Sequence, residues 1–118
     1  MTSQELVTAF AALSDLTRLR ILRILEQKGS RRCGPVSLDE SGLCACDVES
    51  AVGLSQAAVS HHMGILRRSG LVNAEKRGRW MFYRRNDAVL EAVAAALLRQ
   101  VGATRPQSLG SAQRAASR

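Results

Sequence analysis

The stretch LCACDVESAVGLSQAAVSHHMGILRRSGLV, residues 43–72, decides the fold. Residues 47–52 form a short helix pattern. Asp47 is positioned to cap it, and Val48, Ala51 and Val52 are apolar at helical spacing. Gly53-Leu54-Ser55 is a turn in which Gly53 takes a left-handed conformation and Ser55 caps the next helix. Residues 56–69 form that second helix. Val59, Met63 and Leu66 make its apolar stripe, with Ile65 on the flank, and Gln56, Ser60, His61 and Arg67 lie on the other face. Gly70 stops it, and Leu71-Val72 returns to a core. Two short helices around a tight glycine-containing turn make a helix-turn-helix. The second carries the polar face that a recognition helix needs.

The charge is distributed to match. The 118 residues carry a net charge of +7, which favours an anionic partner. Between positions 55 and 86 the basic residues are Arg67, Arg68, Lys76, Arg77, Arg79, Arg84 and Arg85, against the single acid Glu75. Residues 1–54 hold six basic and seven acidic residues and are nearly balanced. A solvated basic face is the plainer explanation, but its place beside a helix-turn-helix points to nucleic acid. A chain of this length makes one domain with a modest core, often stabilised by pairing with a second copy. No apolar run reaches the ~20 residues that span a bilayer. The start, MTSQELVTAF, lacks the basic-then-apolar pattern of a signal peptide. The expected location is cytoplasmic, with the three cysteines reduced.

Outward from the centre, residues 3–13 read as a helix capped by Ser3, with Leu6, Val7, Phe10 and Leu13 as its stripe. Asp15 caps a second helix over residues 16–27, with Leu19, Ile21, Leu22, Ile24 and Leu25 expected to be buried. Residues 29–42, GSRRCGPVSLDESG, have loop composition and hold Cys33. After the helix-turn-helix, residues 71–76 and 80–84 alternate as strands around Arg77-Gly78-Arg79, a β-wing with a basic tip. Residues 87–101 form a last helix with a wide stripe of Val89, Leu90, Val93, Ala94, Leu97 and Leu98, which with the first helix makes a homodimer seam. The expected architecture is mainly α with a small β-wing, a winged helix-turn-helix of order α-α-α-α-β-β-α over residues 1–101. Residues 102–118 are expected to form a disordered polar tail.

These residues resemble a family, the ArsR/SmtB metalloregulators. The matching stretches are DLTRLRIL at 15–22, LCACDV at 43–48, LSQAAVSHH at 54–62 and LRRSGLV at 66–72. Together they span most of residues 5–99, and the combination is specific where each piece is not. The resemblance implies a homodimeric repressor that binds double-stranded operator DNA without a cofactor and leaves it when an inducer binds.

Cys44-Ala45-Cys46 abuts the DNA-reading unit. Thiolates are soft ligands, yet positions i and i+2 of a regular helix lie on nearly opposite sides. Both sulfurs reach one ion only if the segment is irregular, which Gly42 before it and a helix start after it allow. Thiolates are also favoured near a helix N-terminus. In arsenic-responsive relatives a further cysteine comes three residues after the Cys-x-Cys; here that residue is Glu49, a departure. Cys33 is the remaining sulfur. With Cys44 and Cys46 it gives a pyramidal three-sulfur site suited to arsenite or antimonite as inducer. The blander account is that Cys44 and Cys46 are small buried residues and Cys33 is incidental. Cadmium, lead or mercury as inducer, or a thiol-redox response, stays open. Relatives sensing zinc, nickel or cobalt carry Asp and His ligands on the last helix. Here that helix offers Asp87 and Glu91 but no histidine, which argues against that site.

On the recognition helix, Gln56, Ala57, Ser60 and His61 are the expected base contacts, with His62 beside them as a DNA-facing or packing residue. Arg67, Arg68, Arg77 and Arg79 are expected on phosphates. Trp80 and Tyr83 are expected to pack the wing. No phosphate loop, Cys-x-x-Cys pair or nucleophile with an oriented base occurs, so no enzyme is expected.

Overall fold

The structure is a computed structural model that describes residues 1–26 and 42–104. Its elements are α1 (Ser3–Leu13), α2 (Leu16–Ile24), β1 (Leu43–Cys44), α3 (Ala45–Val52), α4 (Gln56–Arg68), β2 (Val72–Arg77), β3 (Trp80–Arg85) and α5 (Asp87–Val101). This is a winged helix-turn-helix, with one strand more than expected. β1 pairs antiparallel with β3, Leu43 opposite Tyr83 and Cys44 opposite Phe82, so the sheet order is β1-β3-β2.

Local chemistry accounts for most of the boundaries. Thr2, not Ser3, caps α1. Its hydroxyl accepts from the Glu5 N–H at 3.0 Å while the Glu5 carboxylate accepts from the Thr2 N–H at 2.9 Å, a reciprocal capping box. Asp15 caps α2 by accepting from the Arg18 N–H at 3.0 Å. That hydrogen bond leads the causes that hold the Asp15 carboxyl below its ordinary range. The cap's contribution is therefore present above the usual carboxylate pKa and is lost as pH falls through the lowered one. Ser55 caps α4 through the Ala58 N–H at 3.2 Å. At the other end the Gly70 N–H donates to Arg67 and the Leu71 N–H donates to Leu66, both at 3.0 Å. This Schellman closure needs the left-handed φ of +79° that Gly70 adopts.

The core sits where α2, α3, α4 and the start of β2 meet. Ile21, Val48, Val59, Met63, Leu66, Leu71 and Val72 are its largest fully buried side chains. The stripe of α1 divides. Leu6, Ala9 and Ala12 face this core, whereas Val7 (59%) and Phe10 (36%) are exposed. Leu19, expected to be buried, is 51% exposed, because the buried face of α2 runs through Ile21, Leu22 and the capping Leu25. Residue 27, the expected end of that helix, and the tail from 105 lie outside the described residues.

Gly42 admits β1 to the sheet. Its φ is +115°, and a Cβ there would lie 2.8 Å from the Tyr83 carbonyl oxygen. Backbone cannot yield as a flexible side chain does. Gly42→Ala is therefore expected to cost about 1–3 kcal/mol, the usual scale of such strain, as measured by urea denaturation. Wild-type stability would show that β1 is not anchored there.

Candidate nucleic-acid interface and thiol site

α4 presents a continuous polar face. At about 100° per residue, Gln56, Ala57, Ser60, His61, Arg67 and Arg68 fall within an arc of about 140°, and all are exposed. The opposite side holds Val59, Met63 and Leu66 in the core. His62, expected beside His61, is not on this face. One residue further round the helix, it turns toward the α1–α2 corner, where its Nδ1 lies 3.1 Å from Arg18 Nη1 and 3.9 Å from Asp15 Oδ2. A helical wheel of residues 56–68 carries this signal, since His62 projects with the apolar stripe.

The wing is a hairpin closed by Gly78-Arg79. Of its basic residues, Lys76, Arg79 and Arg84 are exposed, and the Arg79 guanidinium lies 4.8 Å from the centre of the Trp80 ring. Arg77 is drawn back onto the wing. It donates from Nε and Nη2 to Glu75 Oε1 at 3.1 and 2.9 Å and stacks 4.3 Å from the centre of Phe82. The expectation of Arg77 on a phosphate therefore meets a side chain already engaged: residues i and i+2 of a strand share a face, which brings Glu75 to Arg77.

The thiol site lies at the junction of the wing and the helix-turn-helix. Cys44 ends β1 in extended conformation (φ −64°, ψ 149°) and is the N-cap of α3, which starts at Ala45 and not at Asp47. Asp47 falls in the first turn instead. The change from strand to helix across Cys44 supplies the irregularity that two sulfurs at i and i+2 require. Their Sγ atoms are 3.1 Å apart. Two sulfurs at that separation can each lie about 2.3 Å from one thiophilic ion. Cys44 is a free, buried thiol, whereas Cys46 is disulfide-bonded. The expectation of three reduced thiols thus does not hold at Cys46. Cys33 lies outside the described residues, among which no group of three or more His, Cys, Asp or Glu side chains could hold a metal ion. Tyr83, opposite Leu43, packs beside this site. Burial pushes its phenol pKa up, Arg67 opposes that, and Cys44 and Glu49 add to it.

Comparison with known proteins places these features. The family model described as "Bacterial regulatory protein, arsR family" matches residues 36–74, the span of the thiol site and the helix-turn-helix. An arsenical resistance operon repressor of Staphylococcus aureus is 37% identical over 91 residues, 77% of this chain and 75% of that protein. The chain belongs to the ArsR family. A cadmium resistance transcriptional regulatory protein CadC homolog, also of Staphylococcus aureus, is 32% identical over 83 residues, 70% of this chain but only 59% of its own length. Among solved structures, an ArsR-like transcriptional regulator from Rhodococcus superposes with a TM-score of 0.64 at 31% identity, covering 84% of this chain and 80% of that one. This ArsR-family chain is a DNA-binding transcriptional regulator and not an enzyme, and α3 and α4 are its helix-turn-helix. Among the described residues no helix is long and apolar enough to cross a membrane.

Proposed function

We propose that this ArsR-family chain is a homodimeric repressor released from its operator when arsenite or antimonite binds Cys44 and Cys46, with Cys33 as the third sulfur. The observation that carries this reading is the 3.1 Å approach of two sulfurs at the first residues of the helix-turn-helix. Ligation at Cys46 requires that its disulfide first be reduced. A ligand that gathers the sulfurs then pulls on the start of α3 and, through it, on the register of α4. The deciding experiment is fluorescence anisotropy of the reduced protein on a duplex it selects from a random pool, titrated in parallel with arsenite, antimonite, cadmium, lead, mercury and zinc. Release by arsenite or antimonite at the lowest concentration supports the reading. Release by cadmium, lead or mercury alone assigns the sulfurs to that ion instead, the outcome that the resemblance to the cadmium regulator favours.

The disulfide at Cys46 favours a second reading, a regulator whose signal is thiol oxidation. DNA release by diamide or peroxide, together with indifference to every ion in the series, would select it.

The dimer reading rests on α1 and α5, which pack together with Gln100 Nε2 donating to Ser3 Oγ at 2.7 Å. They leave Val7, Phe10, Leu97 and Val101 exposed. Light scattering is expected to show a dimer in place of the 12.8 kDa monomer, and Phe10→Glu with Val101→Glu is expected to dissociate it. A monomer at micromolar concentration would overturn the seam.

A further inference from the structure

The Arg18 guanidinium bridges two helices. Nε donates to the Ala12 carbonyl at 2.6 Å and Nη2 reaches the Ala11 carbonyl at 3.4 Å, so the fork covers carbonyls in the last turn of α1. Carbonyls at a helix end run short of intrahelical partners; the Ala11 carbonyl also accepts from the Ser14 N–H at 3.4 Å. Nη1 lies 3.1 Å from Nδ1 of His62 on the recognition helix. Arginine has only donors, so in this bond Nδ1 is the acceptor. Behind the pair, Asp15 fixes the Arg18 backbone and sets its carboxylate 3.9 Å from the same Nδ1. The other ring facing His62 is that of His61, edge-on at 5.4 Å.

Beyond these polar contacts, Val59, Met63 and Leu66 join α4 to the apolar core shared with α1 and α2, and apolar packing fixes distance better than rotation. We propose that Arg18 is a positioning residue for DNA reading: it locks the rotation of the recognition helix to α1 through His62, without touching DNA. The proposal rests on the reading that α4 enters the groove. It assigns His62 to the scaffold, and it makes the planar fork necessary, because the single ammonium of lysine cannot span Ala12 and His62 together.

The test measures affinity for the duplex selected by the wild-type protein from a random pool, at two salt concentrations. Arg18→Met and His62→Leu are each expected to bind about tenfold more weakly, the usual scale for a lost charge-assisted bond. The double variant should be no worse than either single one, since both break the same bond. His62→Asn places an oxygen where Nδ1 was and is expected to restore affinity to within about twofold. Arg18→Met should leave the salt slope at its wild-type value, which loss of a phosphate contact would lower. Additive losses, a lowered slope, or His62→Leu binding as wild type would each overturn the clamp. If Arg18→Met does not fold, the comparison of His62→Leu with His62→Asn decides alone: equal affinities overturn it. Recovery of no duplex from the pool would overturn the DNA reading itself, and the clamp with it.

Discussion

Raising the salt from 50 to 200 mM is expected to weaken DNA binding by roughly a thousandfold. Arg67 and Arg68 on the recognition helix and Arg79 at the wing turn are exposed; taken as the phosphate contacts, these three per chain become six in a dimer. Each phosphate neutralised releases counterions, so six contacts give a slope of log K against log salt near −5. The side chains divide within that total. Arg79→Met should reduce the slope by about 2 in a symmetric dimer. Arg77→Met should barely move it, because Arg77 is held by Glu75 and Phe82. Anisotropy titrations at four salt concentrations measure both. A flat salt response would end the phosphate assignment, and a large change from Arg77→Met would show that DNA draws this side chain off Glu75.

The second large effect is on induction. Reduced Cys44→Ser and Cys46→Ser variants are each expected to bind DNA with near wild-type affinity and to ignore arsenite. Couplings of this kind amount to about 1–3 kcal/mol, so the wild-type protein should lose roughly five- to 150-fold in affinity when the inducer is added. Cys44 is buried and serine is of similar size, so the variant should fold. Cys33→Ser should weaken the response, and abolish it if Cys33 is the third ligand. Release of Cys44→Ser/Cys46→Ser by arsenite at the wild-type concentration would refute the site. A fully responsive Cys33→Ser would leave two sulfurs from this chain.

The features legible in the sequence are those set within a few residues. Gly53, Ser55 and Gly70 punctuate the helix-turn-helix by local backbone and capping chemistry, and all three act where expected. The wing is readable from strand alternation on both sides of a turn. β1 is not legible: two residues carry no periodicity, and its partners Phe82 and Tyr83 lie far along the chain. Without β1 the α3 cap is misplaced too, since Asp47 is the better capping residue but Cys44 is where the strand ends. Leu19 escapes the sequence pattern because a single helix face cannot hold every leucine of α2. At the thiol site, the spacing of Cys44 and Cys46 and the need for an irregular segment are readable, whereas the disulfide at Cys46 is not, since pairing of cysteines is set by tertiary contact and not by spacing. The partners of the Arg18 guanidinium likewise lie on two other helices, α1 and α4, and no local pattern announces them.

The strand pairing of Cys44 has a consequence for where a released repressor goes. A regulator that merely lost its base contacts would keep its grip on phosphates and slide along the chromosome, still occupying DNA at sites without information. Here the residue that precedes α3 as its N-cap is also paired with Phe82 of β3, a strand of the wing. On the proposed function, a ligand seated on that residue would disturb the groove-reading helix and the hairpin together. Both the sequence-dependent and the sequence-independent parts of the affinity would then fall, and the protein would pass into solution, counted out of the search for its operator until the ligand leaves.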